Sequence, residues 1–366
     1  MSHIFVPVVD QERTPLMPTT PSRARKWIKS GKATQFWKGG LFCVRLNVEP
    51  SERVSQPVAV GIDPGSKREG YSVTSAAHTY TNIQAEARDG VKEAEKRSTQ
   101  RRRTRRGRNT PCRKPRQNRK QSKKRLPPST RARWHWKLRL ATFLCQLFQV
   151  SVFVVEDIKA QTKPNMRRWN SRFSPLQVGK QWFYVELGKL APVQTKQGYE
   201  TKEMREQFGL KKIGKKLAEV WEAHCIDAWV LAYSAVGGRK KPDNTRLVCI
   251  GPLTWHHRQL HRFEPEKGGK RKLYGGTFSQ GIKRGTLVKH PKWGKAYVGG
   301  TMDGKLSLHD PQIGKRLTQS AKVADCRLIE VLRWKARLVP VATASKRTPA
   351  SSQASKGCGI RKRGLL

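Results

Sequence analysis

Acidic side chains are scarce in this chain: 26 Asp and Glu stand against 76 Lys and Arg among 366 residues, a formal net charge of +50. A compact state so charged repels itself unless a polyanion supplies counter-charge. Neutralisation would take on the order of fifty phosphates, closer to a sizeable RNA than to a short duplex footprint, so nucleic acid is the expected partner. Long apolar runs are missing too. No 18-residue apolar stretch exists, and the start "MSHIFVPVVDQER" lacks the basic region and small-residue cleavage site of a signal peptide. A cytoplasmic protein without a membrane partner is expected. The seven cysteines are scattered singly, with no Cys-x-x-Cys pair, which fits reduced thiols and argues against a zinc finger or a disulfide framework.

What is present divides into blocks long enough together for two or three modest domains. The first 54 residues read as a small unit: strand-like "IFVPVV", turn-rich "TPLMPTTP", a basic helix "SRARKWIKSGKA" capped by Ser22 and ended by Gly31, then a strand "LFCVRLNVE". Residues 55–90 read as a strand meander, with alternation in "YSVTS" and "HTYTNIQAEA". Composition then shifts, since Lys96 to Arg125 holds 16 basic residues in 30 and no acid. Such a block cannot pack as a core, and Pro111 and Pro115 interrupt it. A helix over 88–107 and a looser basic segment after it are expected.

Apolar rhythm returns in 131–160, where Trp136, Leu140, Phe143, Leu144 and Leu147 share a helical face and lead into the continuous apolar strand "VSVFVVEDI". Strand-helix-strand order predicts an α/β fold with a mixed sheet flanked by helices. Residues 161–213 are basic and weakly patterned. The clearest helix is "IGKKLAEVWEAHCIDAWVLAYSAVGG", with Leu217, Val220, Trp221, Cys225, Ala228 and Ala232 on its apolar face and Gly237-Gly238 as its stop. Residues 241–345 read as a small β-rich domain, and 346–366 as a disordered basic tail. Trp134, Trp136, Trp169 and Trp182 lie near basic residues and suit either core packing or base stacking.

With so few acids, each one near a core element is informative. Asp63 ends one apolar strand, Glu156 ends another, and Asp227 lies inside the long helix. Buried carboxylates without partners lose their charge, whereas a divalent metal reverses that preference. Hard oxygen ligands at strand ends suit two Mg²⁺ ions, or Mn²⁺, about 3.5 to 4 Å apart, for phosphodiester hydrolysis. His224 lies on the same helical side as Asp227 and is placed to position or deprotonate a water. Taken singly, Asp63 reads as a turn residue before Pro-Gly. Glu156 reads as a surface charge, and the adjacent Asp157 serves equally well as the ligand.

The stretches "GIDPGS", "VVED" and "HCIDA" resemble, in order and character, the three split motifs of the RuvC-like nucleases of RNase H fold. "PLMP", residues 15 to 18, is similar to the N-terminal signature of the transposon-encoded IscB and IsrB proteins, relatives of the CRISPR type II effector, and the arginine run resembles their bridge helix. IscB carries an HNH nuclease between the second and third motifs. Only 67 residues separate Glu156 from His224 here and none is histidine, so the resemblance is to the HNH-less IsrB family. It implies a PLMP domain (1–54), RuvC-like parts at 55–90, 131–160 and 214–240, an Arg-rich bridge helix and basic segment (91–130), a basic linker in place of HNH (161–213), and a domain at 241–345 contacting a motif beside the target. The implied ligands of two Mg²⁺ ions are Asp63, Glu156 and Asp227, with His224 assisting the water.

Arg97, Arg101, Arg102, Arg103, Arg105, Arg106, Arg108, Arg113, Arg116 and Arg119 would contact nucleic acid. The implied activity is that of a monomeric protein in a ribonucleoprotein, an endonuclease that a long structured guide RNA directs to double-stranded DNA and that nicks the non-target strand. A non-catalytic basic RNA-binding protein and a guide-independent junction resolvase are the rival readings.

Overall fold

The computed structural model describes residues 5–50, 53, 55–88, 90–107, 128–157, 175–252, 263–264, 269–270, 278–311, 314–331 and 334–339. Arg108, Arg113, Arg116, Arg119, Trp169, the 161–174 part of the expected linker and the tail 346–366 lie outside the described residues. No described helix is long and apolar enough to cross a membrane.

The N-terminal unit is a four-stranded sheet in the order β2-β1-β4-β3, built from β1 (Val6–Val9), β2 (Pro15–Thr19), β3 (Ala33–Lys38) and β4 (Leu41–Leu46), with helix α1 (Pro21–Lys29) after β2. The "PLMP" segment is therefore a strand and not a turn, paired antiparallel to β1 from Val6↔Thr19 to Val9↔Pro15. It tolerates two prolines because β2 is an edge strand, where a missing N–H leaves no ladder bond unmade. Thr20, not Ser22, caps α1: its side chain accepts from the Arg23 N–H, and Pro21 takes the first helical position.

The central sheet has seven strands. β5 (Val58–Asp63), β6 (Arg68–Ser75) and β7 (Thr79–Glu86) form an antiparallel meander, and β8 (Val150–Glu156) and then β9 (Val193–Lys196) add in parallel on the β5 side. The order β7-β6-β5-β8-β9, three antiparallel strands followed by two parallel ones, is that of an RNase H-like core. Between strands run α2 (Gly90–Gly107), α3 (Pro128–Cys145), α4 (Pro175–Gly188), α5 (Gly198–Gln207) and α6 (Trp221–Val236). β10 (Leu247–Pro252) pairs parallel with β7 on the far side.

Three expectations are corrected here. The described part of 161–213 is no linker: α4, β9 and α5 occupy it, and β9 covers the open edge of β8. The long helix begins at Trp221 and not at Ile213. Residues 213–220 run irregularly: Ile213 N–H donates to the Glu222 carbonyl, Ala218 N–H to the Lys215 carbonyl, and Val220 is extended, so Leu217 is 58% exposed and lies off any apolar face. The 241–345 unit is also not a separate body throughout. β10 and β20 (Trp334–Leu338) belong to the central sheet, where they pair antiparallel. What lies between is two short hairpins, β11 (Phe263–Glu264) with β12 (Gly269–Lys270) and β13 (Phe278–Ser279) with β14 (Ile282–Lys283), and a five-stranded antiparallel sheet. That sheet is built of β15 (Thr286–His290), β16 (Gly294–Met302), β17 (Lys305–His309), β18 (Arg316–Ala321) and β19 (Arg327–Val331).

Side-chain parity decides what each face of the central sheet carries. Val58, Val60 and Ile62 of β5, Tyr71 and Val73 of β6, and Phe153 and Val155 of β8 pack in one core with Trp136, Leu140, Phe143 and Leu144 of α3. Ala59, Gly61, Asp63, Gly70 and Glu156, at the alternate positions, therefore face α6. The helix lies unusually close there: a Cβ on Gly61 would overlap the carbonyl oxygen of Ala228, and one on Gly70 that of His224. Gly61→Ala should destabilise the fold by about 1–3 kcal/mol or more, as overpacking against rigid backbone does, and a lowered urea midpoint with an unchanged slope would show it.

Candidate active site

The geometry that gathers the carboxylates follows from register. Ile62 pairs with Val155, so the next residues, Asp63 and Glu156, sit side by side at the carboxyl ends of adjacent parallel strands. Both point to the α6 face. On α6, Ala228 meets Gly61, and His224 lies one turn earlier, over Gly70, which pairs with Asp63. Asp227 is the neighbour of Ala228. Two periodicities, 2 along the strands and 3.6 along the helix, thus bring Asp63, Glu156, His224 and Asp227 into one cluster.

The electrostatics match that placement. Glu156 is pushed up to about 7 by burial and by the nearby Asp63, with which its side chain hydrogen-bonds, and by Asp227; Lys212 acts in the opposite sense. Asp157, the rival ligand at the sequence level, is committed elsewhere. It pairs with Lys180 and accepts from the Tyr184 hydroxyl at 3.1 Å and from Gln197 Nε2 at 3.3 Å. Burial raises its carboxyl, but Lys180 and the other donors hold it below the usual range.

His224 has both ring nitrogens engaged. Nδ1 lies 3.0 Å from Asp63 Oδ2 and Nε2 lies 2.9 Å from the Lys216 carbonyl oxygen. A carbonyl only accepts, so Nε2 carries a proton and donates to it, and Nδ1 is the nitrogen that meets Asp63. Burial opposes a charge on the ring, but the Asp63 and Lys216 bonds outweigh it and the histidine is raised. In this arrangement both ring nitrogens are engaged with the protein, and His224 orients Asp63.

Asp227, 3% exposed at its side chain, is held at both oxygens, Oδ1 by Arg205 of α5 and Oδ2 by Lys212 of the following segment. Among the described residues no group of three or more His, Cys, Asp or Glu is already arranged to hold a metal ion. The donor set nevertheless suits a hard divalent cation: burial first, and then the neighbouring Asp63 and Asp227, make the Glu156 carboxylate harder to ionise, and such an ion would relieve both the desolvation and the repulsion.

Sequence reasoning missed four residues of this neighbourhood. Arg205 and Lys212 lie in the weakly patterned stretch and carry no local signal. Glu69 and Lys137 form a buried ion pair on the opposite face of β6, where the Tyr71 hydroxyl donates to Glu69 Oε2 at 2.9 Å and Lys137 Nζ also donates to the Gly65 carbonyl at 3.3 Å. That bond fixes the Pro64-Gly65 turn directly after Asp63. Of the arginines, Arg97, Arg101 and Arg103 are exposed on α2, whose Arg97 pairs only loosely with Glu93, at 3.4 Å. Trp134 and Trp136 are buried in the core and are not available to stack on bases.

The acid cluster sets a pH dependence. Folded Glu156 titrates near 7 against an ordinary 4.5, so between those values the folded state holds a proton that the unfolded chain has released. The stability this provides is complete below pH 4.5 and is lost as pH rises to about 7. His224, also raised, acts in the same direction from its ordinary 6.5 upward. Melting temperature in EDTA should fall from pH 5 to 8, and Glu156→Gln should flatten the lower part of that fall.

No curated protein matches the chain significantly. Thermus thermophilus RuvC in complex with a Holliday junction substrate is 14% identical over 50% of this chain and 97% of that chain, at a TM-score of 0.26. A second Thermus thermophilus RuvC structure is 15% identical over 49% and 96%, at 0.24. At these values the likeness is faint, and the fold assignment rests on strand order and register. Residues 6–171, under half of the chain, match the model of the family described as RRXRR protein, and the pattern itself stands at Arg102-Arg103-Thr104-Arg105-Arg106 in α2.

Proposed function

We propose that this protein is an RNA-guided, Mg²⁺-dependent DNA endonuclease of the IsrB kind, which nicks the non-target strand at one RuvC-like centre. The observation that carries the reading is the meeting of Asp63, Glu156 and Asp227 from two strand ends and one helix, within a chain otherwise poor in acids. Asp63, Glu156 and Asp227 would hold the metal. Bound there, a divalent ion supplies Lewis-acid stabilisation of phosphate charge and a more acidic water.

The chain's own contributions are separate. His224 orients Asp63, Arg205 orients Asp227, and the Lys137 bond to the Gly65 carbonyl keeps the turn after Asp63 in place. A helix with arginines on several sides suits contact with the phosphates of a structured RNA, and the net charge of +50 supports a large polyanionic partner. Guide pairing would then choose the target, with the protein contacting duplex backbone. One centre makes one cut.

The test is to purify the protein with its bound RNA, sequence that RNA, and challenge the complex with a supercoiled plasmid carrying the complementary target in Mg²⁺. A nick confined to the non-target strand supports the proposal. Cleavage of four-way junctions after complete RNA removal would point to a guide-independent resolvase, and retained RNA without cleavage of any matched target to a non-catalytic RNA-binding protein.

A further inference from the structure

The segment between α5 and α6, residues 208–220, lies over the carboxylate cluster and touches it twice. Lys212 Nζ pairs with Asp227 Oδ2, and the Lys216 carbonyl accepts from His224 Nε2. The segment is anchored at its end by Glu219, which pairs with Arg68 at 3.2 Å and with Arg337. It therefore runs between a helix, α5, and a clipped carboxylate.

Arg205 and Lys212 both neutralise Asp227, but they are not equivalent. Arg205 comes from α5, is 15% exposed and pairs with Asp227 Oδ1. Lys212 comes from the irregular segment, is 35% exposed, and its ammonium lies in the field of Asp63 and Glu156 as well as Asp227. An ammonium in contact with Asp227 and attracted by the two acids beside it stands where a cation serving all three would act. An ammonium is a compact point charge on a flexible stem, able to leave without moving the backbone, whereas the guanidinium of Arg205 has a fixed planar shape.

We infer that Lys212 is an internal counter-cation of the carboxylate cluster: it holds Asp227, Asp63 and Glu156 together in the metal-free protein and must be displaced when a divalent cation binds. The inference rests on the metal-site reading above. Lys212 is thus a positioning residue that assembles the acids and sets the threshold for metal binding. Two cations cannot share the same carboxylate oxygens at contact distance without strong repulsion. The ammonium swings out to solvent, which its partial exposure permits.

The test uses the full-length, RNA-free chain and Mn²⁺ as the probe, with binding read by electron paramagnetic resonance of the free ion. Lys212→Met should bind Mn²⁺ roughly tenfold more tightly than wild type, equivalent to about 1.4 kcal/mol, whereas Lys212→Arg should stay near wild type. Equal or weaker binding by Lys212→Met would overturn the inference while leaving the metal site standing. Absence of Mn²⁺ binding by wild type and Lys212→Met alike, with Asp227→Asn no different, would remove the metal-site reading and the inference with it.

A second measurement needs no variant. In wild type, acylation of Lys212 by an amine reagent, followed by mass spectrometry, should rise on Mn²⁺ addition while that of exposed Lys211 and Lys215 stays level. An unchanged Lys212 reactivity in Mn²⁺-bound protein would refute displacement.

Discussion

Asp63→Asn should abolish divalent-cation-dependent nicking by the intact protein–RNA complex, with the rate on a matched supercoiled target falling by about a thousandfold or more. The magnitude follows from removing one carboxylate ligand: metal stabilisation of transition-state charge amounts to several kcal/mol, and each 1.36 kcal/mol is a factor of ten in rate. Asparagine retains the shape of the side chain and an oxygen that accepts from His224, so folding and RNA retention should survive. The readout is the rate of open-circle formation beside the co-purified RNA content and the melting temperature. A variant that still nicks within tenfold of wild type would show that Asp63 is the turn residue its Pro-Gly context suggests, and the enzyme reading would fall.

The largest effect on stability is expected at the other side of β6. Lys137 and Glu69 form an ion pair almost fully shielded from water, and Glu69 accepts in addition from the Tyr71 hydroxyl. Burial alone pushes the Glu69 carboxyl up, and the Lys137 charge acts against that push. Removing one partner leaves the other buried and uncompensated, so Lys137→Met should cost about 3–5 kcal/mol of unfolding free energy, read from urea titration. The double variant Glu69→Leu/Lys137→Met should recover most of the loss, because neither charge then has to be desolvated. If the double variant is as unstable as the single one, the damage comes from the lost bond to the Gly65 carbonyl and the freed turn after Asp63. Nicking by the double variant would report the same point, since a loosened turn displaces Asp63 even in a stable protein.

Much of the core was legible because its signals are local. Continuous apolar runs marked β5 and β8, apolar spacing marked α3 with Trp136, Leu140, Phe143 and Leu144 inward, and a paired glycine marked the end of α6 at Val236. α6 starts eight residues after the helical spacing begins, since "IGKKLAEV" carries that spacing but bonds through Ile213 to the Glu222 carbonyl, within itself, and through the Ala218 carbonyl to Gln84 of β7. β2 was hidden by its prolines, which an edge strand tolerates. β9, β10 and β20 were not recognised as parts of the central sheet, because sheet membership depends on partners distant in the chain.

By itself, then, the sequence determined that this chain carries a charge suited to a polyanion, that it builds an α/β core, and that two rare acids end core strands while a third lies inside a helix. Charge and hydrophobic period are properties of neighbouring residues and survive in the linear order. Only the tertiary structure decided that Glu156 and not Asp157 faces Asp63, that His224 has no ring nitrogen left for a water, and that Lys212 and Arg205 hold Asp227. Those outcomes depend on strand register, on the face each side chain takes, and on a close helix–strand approach that two glycines permit, all of which are set by contacts between segments rather than within them.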